Sequence, residues 1–560
     1  MDKFWLKSYP PEVPHDINPE QYRSLGALFD ESFVKFADKP FAVCMDQWMS
    51  YAQLDQYSRA LGCYLQSLGL EPGARVAIML PNVPQFPVTM AAVLRAGYTC
   101  VNVNPLYTER ELEHQLKDSG ATAIVILENF AHTLVEVIDR TAVKHVVMAA
   151  MGDLLGGLYG QWITFAVRHL AKMVPAYRLP LTDGRQAIQF KQALAQGTDK
   201  QLKVVDANLD SIAFLQYTGG TTGLSKGAVL THRNIVAAIL QSEAWFTPAL
   251  KRVGDLTKVN GIAALPLYHI FALTLCLLAI RGGSHLTLIP NPRDFGKFIQ
   301  VLKKRPFHML PAVNTLFNAL MQHPDFKSID FSTLMVSQAG GMAASEGTAT
   351  AWLKMTGCPM IEGWGMSETC AIGTNNPVTN KEFTGTIGLP LPSIDIAIKD
   401  DEGNSLPQGE RGEICIRGPN VMTGYYNQPG ENAKTFTADG FMRTGDIGLM
   451  DERGYTKIVD RKKDMIIVSG FNVFPNELEN VISMCPGVLE CAAVGIPDEK
   501  QGEAIKVFIV RSDPTLTEED VSRYCHDQLT GYKRPKHIEF RDELPKTNVG
   551  KILRRELRNK

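Results

Sequence analysis

The sequence predicts an α/β fold, and three observations carry that prediction. From residue 26 to about 290, apolar runs alternate with helix-like segments, the pattern of largely parallel sheets. After residue 390, stretches alternate apolar and polar residues between glycine-rich turns, as small antiparallel sheets do. The last hundred residues return to a mixture of helix and strand. A chain of 560 residues exceeds one ordinary core, and the length suggests roughly three or four compact units.

In chain order, RVAIMLPN (75–82), TAIVILEN (122–129) and HLTLIP (285–290) read as buried strands. PVTMAAVLRAG (87–97) reads as a helix stopped by glycine. HMLPAV (308–313), TLMVSQAGG (333–341) and PMIEGWGMSE (359–368) read as short strands. The last two run into glycine-bearing turns, where ligands bind in open α/β sheets. DIAIKDDEGNSL, GEICIRG and GYTKIVDRKKDMIIVSG suggest the antiparallel sheets. VLECAAVG (488–495) and EAIKVFIV (503–510) read as strands, and TEEDVSRYCHDQL (517–529) as a helix with an acidic first turn.

Composition narrows the function classes. Net charge is −2, which gives no global attraction to nucleic acid. The ten cysteines are scattered without a CxxC, so a disulfide framework or zinc site is not expected, and a reducing cytoplasm is. MDKFWLKSYPPEVP lacks the apolar core of a signal peptide, and no run of apolar residues is long enough to span a bilayer.

The densest chemistry lies in YTGGTTGLSKG (217–227), directly after the apolar run SIAFLQ. Glycines let backbone N–H groups approach an anion, and hydroxyls plus a lysine add donors, so the loop suits a phosphate. It is not a Walker A loop, because Ser225 precedes Lys226 and Gly227 follows it. Together with GWGMSE (363–368), TGD (444–446), DRKKDMIIVSGFNVFPNELE (460–479) and PKTNVGK (545–551), the loop resembles, in order, the motifs of the acyl-adenylate-forming enzymes. YTGGTTGLSKGAVLTHRN, PLYHIFALT (266–274) and FWLKSYPPEVP are most similar to the bacterial long-chain fatty-acid–CoA ligases of that superfamily.

The resemblance implies a large N-terminal domain (1–459) of two α/β subdomains plus a small β-barrel-like subdomain. A hinge (460–463) and a mobile α+β C-terminal domain (464–560) follow. It implies ATP and coenzyme A as co-substrates, Mg²⁺ as cofactor and a fatty acid as the acid activated. Thr218, Gly219, Gly220, Thr221, Thr222, Gly223, Ser225 and Lys226 are the expected β- and γ-phosphate loop. Gly340, Gly341, Glu362, Gly363, Trp364, Gly365 and Ser367 are expected around the nucleotide. Trp364 stands where tyrosine is usual, and Ser367 where threonine is. Glu368, with Thr221, is the expected Mg²⁺ ligand, as hard cations prefer oxygen. Asp446 and Arg461 are expected at the ribose, and Lys463 at the hinge.

Lys551, Lys226 and His269 are the expected catalytic groups. Lys551 would bridge the acid and the α-phosphate, and His269 would orient or gate the acyl carboxylate. Ser469, Gly470 and Phe471 are expected in a coenzyme A channel formed after the small domain rotates. The acyl pocket is expected from His269 to Leu275, Val313 to Phe317, and the backbone at Gly340, Gly341 and Gly365; these stretches are mostly apolar or small. The chain's end at Lys560, soon after the last motif, points to diffusible coenzyme A rather than a fused carrier as acceptor.

Alternatives stay open at this stage. They are a medium-chain or aryl-acid CoA ligase, a fatty-acyl-AMP ligase, or a peripheral lipid-binding protein with a vestigial site. A homodimer is left open too. QWITFAVRHLAKMVPAYRLP (161–180) lies outside every motif. On a helical period Ile163, Val167, Leu170 and Val174 share one face and Gln161, Thr164, Arg168 and Lys172 another, with Pro175 as the stop. Two readings remain for it: a helix packed on the large domain, or an interfacial helix on the cytoplasmic face of the inner membrane.

Overall fold

A computed structural model describes residues 3–218, 225–469, 471–498, 501–547 and 550–558. Gly219, Gly220, Thr221, Thr222, Gly223 and Gly470 lie outside the described residues.

Among the described residues the strands form four sheets. One has seven strands, with Arg75–Met79, Thr99–Asn102, Ala123–Leu127 and His145–Ala149 parallel near its middle. Its edge is the antiparallel hairpin Ile212–Thr218/Lys226–Thr231. A second sheet has nine strands. Its parallel core runs Met360–Trp364, Val336–Ala339, Met309–Ala312, Asn260–Ala263, His285–Leu288 and Pro40–Cys44. Asp395–Lys399, Gly412–Arg417, Met442–Met450 and Thr456–Arg461 make an antiparallel meander. The fourth sheet, built on the long pair Val488–Asp498/Gly502–Arg511, belongs to the last hundred residues.

The parallel strands are continuous apolar runs because both faces are covered. Helix Gln85–Arg95 is buried on every side, so it shows no polar face. Helix Glu109–Ser119 starts with a capping box, Thr108 with Glu111, and stops at Gly120 with φ +61°. Helix Ile270–Gly282 begins at His269, whose ring accepts from the Phe271 N–H at 3.4 Å. The N-terminal arm straps onto the meander. Trp5 is buried against Gly454, Ser8 Oγ donates to the Arg453 carbonyl at 2.7 Å, and Lys3 pairs with Asp395 at 3.0 Å.

Residues 161–180 depart from the single amphipathic helix their period suggests. Helix Gly157–Phe165 runs into a π turn, Ala166–Leu170, where the Ala171 N–H reaches back five residues to the Ala166 carbonyl at 2.8 Å. The extra residue breaks the period, so Leu170 leaves the face of Ile163 and is exposed, and the helix ends before Pro175. Leu158, Trp162, Phe165, Leu170 and Met173 face outward instead. Arg168 grips the buried Glu128 carboxylate with two N–H groups, at 2.9 and 2.7 Å. It is therefore a structural cation. Among the described residues no helix is long and apolar enough to cross a membrane.

All ten cysteines are buried and unpaired. Burial pushes the Cys44 and Cys276 thiols up to about 12.

Candidate active site

The C-terminal ends of the parallel strands, the meander and the last hundred residues enclose one cavity of about 1540 Å³. Register builds its nucleotide-like end. Asp446 and Arg461 are paired across neighbouring antiparallel strands, which puts the guanidinium 3.2 Å from the carboxylate. The Trp364 indole N–H donates to the other Asp446 oxygen at 2.8 Å, so the ring is fixed over the same corner. This bond was not foreseen in the sequence; a phenol in place of the indole would present its donor elsewhere.

The turn after Met360–Trp364 demands glycine. A Cβ on Gly365 would come within 2.2 Å of the Ala371 backbone. Gly341 has φ +78°, a region side chains avoid. Gly340 and Gly363 line the same wall. Glu362 accepts the Ala344 N–H at 2.8 Å and so ties down the loop after Gly341; its burial raises the carboxyl to about 7. Ser367 opens the short turn that carries Glu368.

Glu368 is buried, and burial raises its pKa; the Tyr425 hydroxyl donates to it at 2.7 Å. Tyr425 also lies under Lys226, whose ammonium is 5.5 Å from the ring centroid. Lys226 pairs with Glu431. Lys226 and Thr218 are direct partners at the open end of the hairpin, so both termini of the glycine-rich loop meet there. His114 holds the exit of that loop: its Nε2 is 2.8 Å from the Ser225 carbonyl. Neither His114 nor Glu431 was picked out from the sequence.

The last hundred residues supply the opposite wall. Lys551 enters the cavity on a loop whose Gly550 carbonyl accepts from Thr315 at 3.3 Å. Burial, and then the Arg461 charge, pull its pKa down to about 7. His269 shares this corner. Burial and the Lys551 charge pull it down to about 4, so its ring is neutral. Lys463, pulled down to about 8 by burial and Arg461, stands beside Asp464 and Asp446. Asp460 accepts N–H bonds from Arg461 and Asn476, both at 2.7 Å, and so joins the meander to helix Pro475–Ile482. Ser469 and Phe471 do not join the cavity. They are exposed on the small unit, with Phe471 stacked on Tyr532 at 4.9 Å.

A second arm of the cavity is apolar. Phe271, Thr274, Leu275 and Leu278 face it from helix Ile270–Gly282, and Phe246 and Met309 face it from other elements. Of the foreseen acyl-pocket stretches, His269, Val313, Thr315, Gly340, Gly341 and Gly365 line the cavity as well, whereas Ala272, Leu273, Leu316 and Phe317 do not; Phe317 packs on Trp352 instead, at 4.6 Å. The whole arrangement can therefore hold a nucleotide phosphate chain and an apolar acid end to end.

Comparisons with known proteins agree. The AMP-binding enzyme profile matches residues 29–426, and the AMP-binding enzyme C-terminal domain matches 477–551. A long-chain-fatty-acid–CoA ligase of Escherichia coli O6:H1 is 50% identical over 561 residues, covering 100% of this chain and 98% of the relative. One from Haemophilus influenzae is 46% identical, again over 100% and 98%. The crystal structure of ATP-bound MatB from Rhodopseudomonas palustris superposes with TM-score 0.82 at 28% identity, covering 96% of this chain and 98% of that one. The anthranilate CoA ligase AuaEII shares the fold at TM-score 0.84. The chain belongs to the AMP-binding enzymes.

Proposed function

We propose that the protein activates long-chain fatty acids in two half-reactions at one site. In the first, the acid's carboxylate oxygen bonds to the α-phosphorus of ATP, the bond to the β-phosphate's bridging oxygen breaks, and diphosphate leaves. In the second, the sulfur of coenzyme A bonds to the acyl carbon, the thiol gives up its proton, and AMP leaves. The observation that carries this reading is the meeting of Lys551, Arg461 and Asp446 at the junction of a polar cavity with an apolar arm.

Each role follows from chemistry. Asp446 accepts from ribose hydroxyls, and Arg461 holds it in place. Trp364 offers a face to the adenine. Lys226 and the glycine-rich loop neutralise the β- and γ-phosphates, and Glu431 occupies Lys226 until they arrive. Ser367 and Lys551 serve the α-phosphate, and Lys551 also draws in the acid. Neutral His269 orients the carboxylate without adding charge.

Glu368 fits a hard cation: a buried carboxylate oxygen donor, in keeping with magnesium sites of one or two carboxylates plus substrate phosphates. Magnesium bound there would supply charge neutralisation at the phosphates. The Thr221 contribution rests on the loop alone.

The large unit is assigned to 1–459, the hinge to 460–463 around Lys463, and the small unit to 464–560. Lys551 serves the first half-reaction, and Ser469, Gly470 and Phe471 the second, after rotation. We assign the outward row Leu158, Trp162, Phe165 and Leu170 to contact with a bilayer surface on the cytoplasmic side, from which long-chain acids are collected.

The test is diphosphate release across a panel of carboxylic acids, with and without coenzyme A. Fatty acids should release diphosphate, and coenzyme A should then release AMP and form a thioester. Retention of the adenylate in the presence of coenzyme A would reduce the assignment to an adenylating enzyme alone.

A further inference from the structure

The apolar arm does not end where it narrows. Phe246, Leu275, Leu278 and Met309 form a partition, and behind it lies a second void of about 40 Å³. The same four side chains line both spaces. Their exposure agrees. Within helix Ile270–Gly282, Leu275 and Leu278 keep 8% and 9%, while Leu273, Cys276 and Ile280 keep 0%.

The void lies between this helix, helix His232–Leu250 and strands Asn260–Ala263 and His285–Leu288. Gly261 leaves it open. A Cβ there would reach Leu286 at 3.1 Å and Leu275 at 3.4 Å, so any side chain beyond a methyl group fills the space. At the margin stands Glu243, 3.4 Å from Arg281. At roughly 10–15 Å³ for each water-sized group, the void holds about three such groups, and its apolar walls suit methylenes better than water.

On the reading that the protein is a fatty-acid ligase, we infer that the void is a chain-end chamber. Rotation of the four partition side chains joins it to the main cavity. The methyl end of the longest acids then passes between the two helices and stops near Glu243, whose charge a hydrocarbon cannot replace as a partner. Gly261 sets the room available. Leucine and methionine change rotamer readily enough to make such a partition.

The experiment compares kcat/KM for octanoate, laurate, palmitate and stearate in the holoenzyme chain, wild type against Gly261→Val, with thioester formation as readout. One excluded methylene in an apolar pocket is worth about tenfold or more. The stearate-to-octanoate ratio should therefore fall at least about tenfold in Gly261→Val. Leu278→Ala, which thins the partition, should raise the same ratio.

An unchanged ratio in both variants overturns the chamber while leaving the ligase reading intact. An equal fall for all four acids in Gly261→Val, with no shift in Leu278→Ala, also overturns it, since it marks general damage to the strand. Failure of the wild type to form thioester from any of the acids overturns the ligase reading and the chamber with it.

Discussion

Lys551 stands among Arg461, Lys463 and Arg554, with Asp446 the carboxylate opposing them. Its folded pKa, lowered to about 7, lies below the unfolded lysine's value of about 10.4. Between those values the unfolded chain holds a proton that the folded chain has released. Stability from this group therefore rises with pH across that window. Activity runs the other way. In the free enzyme the charge is lost as pH rises through about 7, so kcat/KM for adenylate formation should decline on that limb. At saturating ATP and acid, the substrate anions should carry the limb to higher pH. Lys551→Arg, which keeps its proton, should be slower but lose the limb; a limb unmoved in that variant assigns it to another group. Lys551→Ala should slow adenylate formation by about 10²–10³ yet leave thioester formation from preformed acyl-AMP largely intact. His114→Ala removes one hydrogen bond, worth about 0.5–1.5 kcal/mol, so the KM for ATP should rise roughly twofold to tenfold with kcat little changed. His114→Gln should recover it. A fall in kcat alone would detach His114 from ATP binding. Lys551, Asp446 and Glu368 were legible because each sits in an ordered motif. His114 and Glu431 were not, since each lies among other polar residues until the fold brings it to the hairpin mouth.

Strands and helices bounded by glycine, such as Arg75–Met79 and Gln85–Arg95, could be read from local pattern alone. Ile270–Gly282 could not be read as fully. It is apolar all round, so no period says which side faces a cavity. The segment 161–180 misled for another reason: one π turn moves every later side chain to a different face. The hinge proposed at 460–463 belongs to the scale of elements. Lys463→Pro fixes φ at about −65° and should block rotation, sparing diphosphate release and abolishing thioester turnover. Normal thioester turnover in that variant would move the hinge elsewhere. Arg554 reaches Glu479 at 2.6 Å and Asn476 at 2.5 Å, and Asp464 at 3.5 Å, largely out of solvent. Arg554→Ala strands these carboxylates, and breaking a buried pair costs about 3–5 kcal/mol. Hydrogen exchange should accelerate across Pro475–Ile482, and unchanged protection there would show the network to be dispensable.

At the scale of the whole molecule, the outward row on Gly157–Leu170 gathers Leu158, Trp162, Phe165 and Leu170, all exposed, on one short segment. Trp162 is 54% exposed and stacks on Phe165 at 6.0 Å. Burying an aromatic or leucine side chain is worth about 1.5–3 kcal/mol. Trp162→Ser/Phe165→Ser should therefore lower flotation with anionic liposomes by about 10²-fold. Arg168 is left in place in this pair because it holds Glu128. Equal flotation of the variant and wild type would exclude this face. The ten cysteines give the molecule a different property. Cys491 borders the main cavity, but the other nine are buried away from it, so a thiol reagent has little to meet in the closed protein. Alkylation of those nine must wait for an opening, so its rate clocks the opening of the region that carries the sulfur. Cys485 and Cys525 report on the small unit, Cys491 on access to the cavity, and the other seven on the large unit. Peptide-resolved labelling would thus time the two units separately in the unmodified chain, without a probe introduced by mutation.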